Sequence, residues 1–263
     1  MVHRKAILPN ILTLGNLFLG FNAILMISRD HLLAASWLII VAAILDGLDG
    51  TVARLIRSDS PFGREIDSLV DVVSFGVAPA LLIYRMVAEP FGLAGLLFAF
   101  LPLIAGVLRL ARFNIASSIL PRRKTFQGLP ITSAAGVMAS FNIYMNTINA
   151  DAASLALWFS LVPALSLLMI SPFPYRKLPG IGINGLKYPQ LGIVVLIMVA
   201  LVILWNPALT LFPIGLLYML SGPVEYGLKQ LRKVRSQSDS EDLTTPAPTS
   251  KGGISRRNRG RRK

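Results

Sequence analysis

The sequence contains no cysteine and only two histidines, His3 and His31. Without thiols there is no disulfide framework and no thiolate metal site, and neither histidine has a neighbour that suggests a ligand set. Charge is scarce as well: 15% of residues are Asp, Glu, Lys or Arg, and only 13 of 263 are acidic. With 54% hydrophobic residues and a mean hydropathy of +0.62, this is a membrane composition rather than a soluble one.

What is present fits that reading. About eight apolar runs, at 11–28, 32–57, 66–87, 92–115, 130–150, 153–171, 188–205 and 207–224, approach the roughly 20 residues that cross a bilayer. The predicted fold is an all-α integral membrane protein of about eight transmembrane helices. Its predicted domains are a six-helix catalytic core at 1–187, two further helices at 188–226, and a basic, disordered tail at 227–263. The first run does not read as a cleavable signal, being long and flanked by Pro9, Asn10 and Asn16. Ser171-Pro-Phe-Pro reads as a helix stop.

The net charge of +13 could suggest nucleic acid, but its distribution points to membrane topology and away from a nucleic-acid partner. With the N-terminus in the cytoplasm, only Arg29 and Arg85 of the 26 Lys and Arg fall on the opposite side, as the positive-inside rule expects. Both termini are then cytoplasmic. The basic cluster at the chain's end suits either anionic head groups or simple solvation.

Acids inside a bilayer are costly and usually paired or functional. Four are concentrated in one stretch, LDGLDGTVARLIRSDSPFGREIDSLVDVVSFGVAPA. Asp46 and Asp49 are spaced i,i+3, and Asp67 and Asp71 i,i+4, so each pair shares one helix face. A turn at SDSPFG, in which Asp59 reads as a solvated loop residue, would fold the two helices together and gather the four carboxylates. So many carboxylates stay ionised only if cations neutralise them. With hard oxygen ligands alone, Mg²⁺ or Mn²⁺ is favoured, and two ions would offset four charges and suit phosphoryl displacement. The competing reading is a network of Asp–Arg pairs. Gly50 and Ala53 extend the Asp46–Asp49 stripe and allow close approach by a helix or a ligand. Arg54 is placed to meet a phosphate. On the third helix Ser74 and Ala78 are predicted to share the face of Asp67 and Asp71.

Written out, the stretch is D-x2-D-G-x2-A-R-x8-G-x3-D-x3-D, which matches the signature of the CDP-alcohol phosphotransferase family at every specified position. Within that family the chain most resembles the bacterial-type phosphatidylserine synthases, through PNILTLGNLFLGFNA, DVVSFGVAPA, RLARFN and QGLPIT. The resemblance implies transfer of a phosphatidyl group from CDP-diacylglycerol to L-serine in a bacterial-type cytoplasmic membrane, by a homodimer using two divalent cations. It implies metal coordination by Asp46, Asp49 and Asp67, with Asp71 contacting the second ion and acting as general base. Gly50, Ala53, Arg54, Ser60 and Gly63 are implied for CDP-diacylglycerol, and Asn10 and Thr13 join them as polar candidates on the first span. For the acceptor, Arg109 and Arg112 could meet a carboxylate or simply anchor the fourth span; Ser74 and Asn16 are further candidates. Gln127 and Thr132 could serve the site or bond between helices. The alternatives are another acceptor (glycerol 3-phosphate, inositol phosphate or choline) or a cation transporter that uses the same aspartates.

Overall fold

A computed structural model of the chain describes residues 7–55, 61–119, 125–149, 151–176 and 205–244. Helix α1 (Ile7–Ser28) and helix α2 (Leu32–Leu55) pack along one another. The turn between them is closed by Asp30 at φ 61°, a left-handed conformation that aspartate tolerates better than most residues. Helix α3 (Pro61–Asp71) runs into a π-helical turn (Val72–Val77), α4 (Ala78–Ile83), a second π-helical turn (Tyr84–Ala88) and a 3₁₀ turn (Glu89–Phe91). Then come α5 (Gly92–Ile119), β1 (Thr125–Gln127), α6 (Ile131–Thr147), α7 (Asp151–Ile170), β2 (Pro174–Arg176) and α8 (Pro207–Thr244).

The fold is therefore mostly helical, with one correction to the all-α expectation. Strands β1 and β2 form a short antiparallel ribbon, with Phe126 opposite Tyr175. Proline explains the location. Pro130, Pro172 and Pro174 bias the residues before them toward extended backbone, and two extended pieces satisfy each other's backbone groups. The helix stop expected after residue 170 is present, since α7 ends at Ile170.

Among the described residues, four helical stretches are long and apolar enough to cross a membrane: Asn10–Ser28, Leu32–Gly50, Phe62–Ile115 and Pro207–Gln230. The third contains both runs expected at 66–87 and 92–115, joined through the Glu89–Phe91 turn. The apolar part of α7, Leu155–Ile170, is shorter, and most of the run expected at 188–205 lies outside the described residues. This is an integral membrane protein. Ile11, Leu14, Phe18, Phe21 and Leu25 repeat every three or four residues along α1 and are all exposed, as a face turned toward lipid or another apolar surface requires.

Helix α6 sits at the centre. Ile131, Ala134, Ala135, Val137, Met138, Phe141 and Ile143 are all buried, and Phe141 meets the fully buried Trp158 of α7 edge-on at 4.7 Å. Its polar residues are satisfied inside the bundle. Asn142 donates to Ser36 Oγ at 2.8 Å and to the Leu32 carbonyl at 3.3 Å, which keeps a buried amide from being orphaned.

Two features define the ends. Arg85 pairs with Asp30 and, at 2.8 Å, with Glu89, so the α1–α2 turn and the turn before α5 lie at the same end. Asp46 is 14 residues beyond Leu32 along α2, or about 20 Å at 1.5 Å per residue, and so lies toward the opposite end.

The chain divides into two compact units, Met1–Val224 and Glu225–Lys263. In the first, α8 packs on the core along one stripe. Phe212 stacks on Phe141 and Tyr144, with centroids at 4.9 and 5.5 Å. A Cβ at Gly215 would touch Val137 Cγ2 at 3.0 Å. The Tyr175 hydroxyl donates to the Met219 carbonyl at 2.9 Å, and a Cβ at Gly222 would come within 2.7 Å of the Tyr175 ring. Small residues at 215 and 222 thus let this helix seat directly on α6 and β2. In the second unit Glu225 pairs with Lys229 at 2.9 Å. The helix bounds run to Thr244, within the tail expected at 227–263; residues 245–263 lie outside the described set.

Candidate active site

Three carboxylates meet where α2 and α3 face each other. One oxygen from each of Asp46, Asp49 and Asp67 lies within 4.8 Å of the others. The helical spacing accounts for Asp46 and Asp49 sharing a face, and α3 presents Asp67 to them. Asp49 is buried at 5% exposure. Among the described residues no ion pair joins any of the three to a guanidinium; the side chains of Arg54 and Arg57 lie outside the described residues.

Two threonines from other helices hold the acids. Thr13 on α1 donates to Asp49 Oδ2 at 3.2 Å, and Thr132 on α6 donates to Asp46 Oδ2 at 3.2 Å. Each acts on a carboxylate of the cluster and fixes which way it faces, the usual task of groups behind metal ligands. Thr13, a nucleotide candidate from the sequence, is thus placed behind Asp49, while Asn10 sits half-buried one turn earlier.

Asp71 lies one turn beyond Asp67, at the end of α3. It is close enough to Asp46, Asp67 and Asp49, and to Arg109, for electrostatic interaction. Its Oδ1 is buried with no hydrogen-bond partner, an expensive arrangement unless a ligand or ion completes it. Three clustered carboxylates, a fourth nearby with an unsatisfied oxygen, and hard donors only are a set that fits a divalent cation such as Mg²⁺ or Mn²⁺.

The π-helical turn after Asp71 alters the face expected beyond it. A wider turn breaks the 3.6-residue register, so Ser74 does not continue the Asp67–Asp71 stripe as an open acceptor ligand. It is fully buried and donates to the Asn16 carbonyl at 3.2 Å. Helix α1 approaches closely enough there that a Cβ on Gly20 would come within 2.8 Å of the Ser74 Cα. The Asn16 side chain is fully buried, and neither its Oδ1 nor its Nδ2 has a hydrogen-bond partner.

Space beside the acids is open on the α2 side. A Cβ placed on Gly47 or Gly50 would meet nothing within 4 Å among the described residues. Gly63 lies near the start of α3. The side chains of Ala53 and Arg54, and Ser60 as a whole, lie outside the described residues.

The two candidate arginines separate. Arg112 donates to the carbonyls of Ile170 at 2.9 Å and Met169 at 3.3 Å, capping the C-terminus of α7, where a cation is favoured. Arg109 is 6% exposed, has the Phe113 ring 5.9 Å from its guanidinium carbon, and lies within electrostatic reach of Asp71 and Tyr218. Sequence reasoning passed over Tyr218, Ser133, Ser68 and Asn114. Tyr218 lies near Ser133 and Arg109, and Ser68 accepts from Asn114 Nδ2 at 3.0 Å beside Asp67 in sequence. The only signal was their polarity inside apolar runs.

An acidic cluster able to hold a divalent metal, set among membrane-spanning helices with open space at Gly50, defines a membrane-embedded enzyme centre built for a substrate that carries phosphate. The chain belongs to the CDP-alcohol phosphatidyltransferase family, whose profile matches residues 6–166. It is 38% identical over 195 residues to a CDP-diacylglycerol–serine O-phosphatidyltransferase of Helicobacter pylori, covering 74% of this chain and 80% of the relative. It is 40% identical over 177 residues to an archaetidylserine synthase of Methanothermobacter thermautotrophicus (66% and 72% covered). The corresponding Bacillus subtilis phosphatidyltransferase is 37% identical over 141 residues (54% and 78%).

Proposed function

We propose that the protein transfers the phosphatidyl group of CDP-diacylglycerol to the hydroxyl of L-serine, giving phosphatidylserine and CMP. The observation that carries this reading is the buried Arg109 guanidinium beside Asp71, next to the aspartate triad. A buried cation there supports a site for an acceptor carboxylate alongside a base and a phosphate-binding centre. The names of the relatives support the same acceptor.

The reaction is a single displacement. The serine hydroxyl oxygen forms the new bond to the lipid-side phosphorus, its proton passes to Asp71, and the bond to CMP breaks with the electron pair leaving on CMP. A serine hydroxyl is a weak nucleophile at neutral pH and needs such a base within reach. Asp46, Asp49, Asp67 and Asp71 would hold two divalent cations, Mg²⁺ or Mn²⁺, which neutralise the pyrophosphate and the departing CMP when bound. Thr13 and Thr132 keep the carboxylates oriented. The resemblance supports Gly50 and Ala53 against the cytidine, Arg54 and Ser60 near the nucleotide's phosphates or sugar, and Gly63 in the same pocket, with Asn10 a further candidate for CDP-diacylglycerol. Arg109 receives the serine carboxylate, while Arg112 stabilises α7.

The same proposal places both termini and the site at the cytoplasmic face of a bacterial-type inner membrane, supported by the Lys and Arg distribution. It includes eight spans and the homodimer that the resemblance implies. The test is an acceptor screen in which purified protein is incubated with CDP-diacylglycerol, Mg²⁺ or Mn²⁺, and one candidate alcohol at a time. CMP release with L-serine is expected. Product with glycerol 3-phosphate alone would end the serine assignment.

A further inference from the structure

Helix α1 carries no charged residue between Ile7 and Ser28, yet it places an amide, Asn16, in the interior. Asn16 is fully buried. Among the described residues it is the one whose whole polar head, Oδ1 and Nδ2 alike, has no hydrogen-bond partner. The buried amide of Asn142, by contrast, is answered by Ser36 and the Leu32 carbonyl. The place of Asn16 is fixed from both sides. One turn before it, Thr13 bonds Asp49. Its own carbonyl accepts from Ser74, which follows Asp71 by three residues. One turn after it, Gly20 lets α1 press on the Ser74 backbone. Asp71 Oδ1 is likewise buried without a partner, and α1 packs along α3 and the π-helical turn that follows it. Three orphaned polar atoms, one donor and two acceptors, therefore belong to two adjoining elements beside the metal-binding acids.

We propose that Asn16 is an acceptor-binding residue that recognises a 1,2-amino alcohol: Oδ1 accepts from the acceptor's ammonium, and Nδ2 donates to the hydroxyl oxygen whose proton faces Asp71 Oδ1. One ligand then answers all three orphaned atoms. An ammonium offers donors only, whereas a hydroxyl both accepts and donates. In L-serine the two groups sit on neighbouring carbons, close enough to face the oxygen and nitrogen of a single carboxamide. Charge favours the same orientation, since α1 supplies no cation and Asp49 and Asp71 lie on this side of the site, so a positive group is attracted and a phosphate repelled. Glycerol 3-phosphate and inositol phosphate lack the ammonium, and the quaternary nitrogen of choline has no N–H. Each leaves Oδ1 unanswered in a buried setting, and unmet buried polar groups are what give hydrogen-bonding sites their selectivity.

The inference rests on L-serine being the acceptor, and the experiment separates the two claims. Wild-type protein is assayed first with CDP-diacylglycerol and L-serine, and no turnover there would remove the underlying reading. With wild-type turnover established, Asn16→Leu replaces the amide by an apolar side chain of similar size. The KM for L-serine should rise about tenfold, the effect of losing one hydrogen bond to a charged group. The KM for CDP-diacylglycerol should stay unchanged. The thermal midpoint should hold or rise, because an unanswered buried amide is exchanged for a group that needs no partner. Should leucine not fit against the π-helical turn, Asn16→Ala puts the same question with a smaller side chain, read through the two KM values: serine's rises about tenfold and that of CDP-diacylglycerol does not. An unchanged serine KM in whichever variant folds overturns the proposal. So do equal rises in both KM values with a lowered midpoint in both variants, since that is the signature of a packing role alone.

Discussion

Replacing Gly50 with alanine separates the two reasons for having a glycine beside the acids. If Gly50 were needed so that another helix could come close, an added methyl would destabilise the fold. The structure shows open space at that Cβ position, with nothing within 4 Å. Gly50 also lies inside α2, where alanine is favoured over glycine by about 0.8–1.0 kcal/mol. Protein stability should therefore hold or rise slightly. Substrate binding should not. If the cytidine of CDP-diacylglycerol lies against this residue, a methyl intrudes on a fitted contact, and overpacking of that kind costs about 1–3 kcal/mol. That corresponds to a rise in the KM for CDP-diacylglycerol of about 5–150-fold, at 1.4 kcal/mol per factor of ten. The assays are thermal unfolding in detergent and steady-state kinetics in mixed micelles, varying CDP-diacylglycerol at saturating serine. A midpoint lowered by several degrees would mean that Gly50 serves packing after all. A stable variant with unchanged KM would mean that the nucleotide lies elsewhere.

Three other substitutions test different parts of the site. Asp71→Asn should lower kcat by about 10²–10⁴-fold, the usual contribution of a general base, with CDP-diacylglycerol binding retained; loss of binding equal to that of Asp46→Asn would assign Asp71 to metal holding alone. Thr13→Val should raise the Mn²⁺ or Mg²⁺ concentration needed for half-maximal activity by about tenfold, as for other residues that orient a metal ligand, while saturating metal restores most turnover. An activation curve that does not move would show that Asp49 is fixed by other means. Arg112→Ala should lower the thermal midpoint by removing the cap on α7, at a cost of about 1–2 kcal/mol, and leave serine KM unchanged; a raised serine KM in a stable variant would return Arg112 to the acceptor site.

The acids were legible in the sequence because their spacing is a property of one helix at a time. Asp46 with Asp49, and Asp67 with Asp71, needed only the 3.6-residue period and a turn between them. What completes the site comes from far away in sequence. Thr13 reaches Asp49 across 36 positions and Thr132 reaches Asp46 across 86, and no periodicity reports such contacts. Arg109 and Arg112 looked equivalent at i,i+3, yet one faces Asp71 and the other the end of α7, because only packing decides which carbonyls a guanidinium meets. The bond from Ser74 to the Asn16 carbonyl was not legible either: the π-helical turn at Val72–Val77 inserts extra backbone per turn, and VVSFGV carries no pattern that announces it. The β1–β2 ribbon was missed for a related reason, since prolines mark where helices stop without saying what the extended pieces pair with.

The seating of α8 on α6 has a consequence for how the enzyme matures. Ribosomes deliver the carboxylates early and Tyr218 late, with well over a hundred residues of chain between them. Until α8 arrives, the flank of α6 that carries Ser133, Val137 and Phe141 lacks its cover, and a nascent chain halted before residue 207 already carries the acids without the phenol. Insertion of α8 thus completes the packing around α6, and that flank of the bundle gains its cover long after the acids have been made.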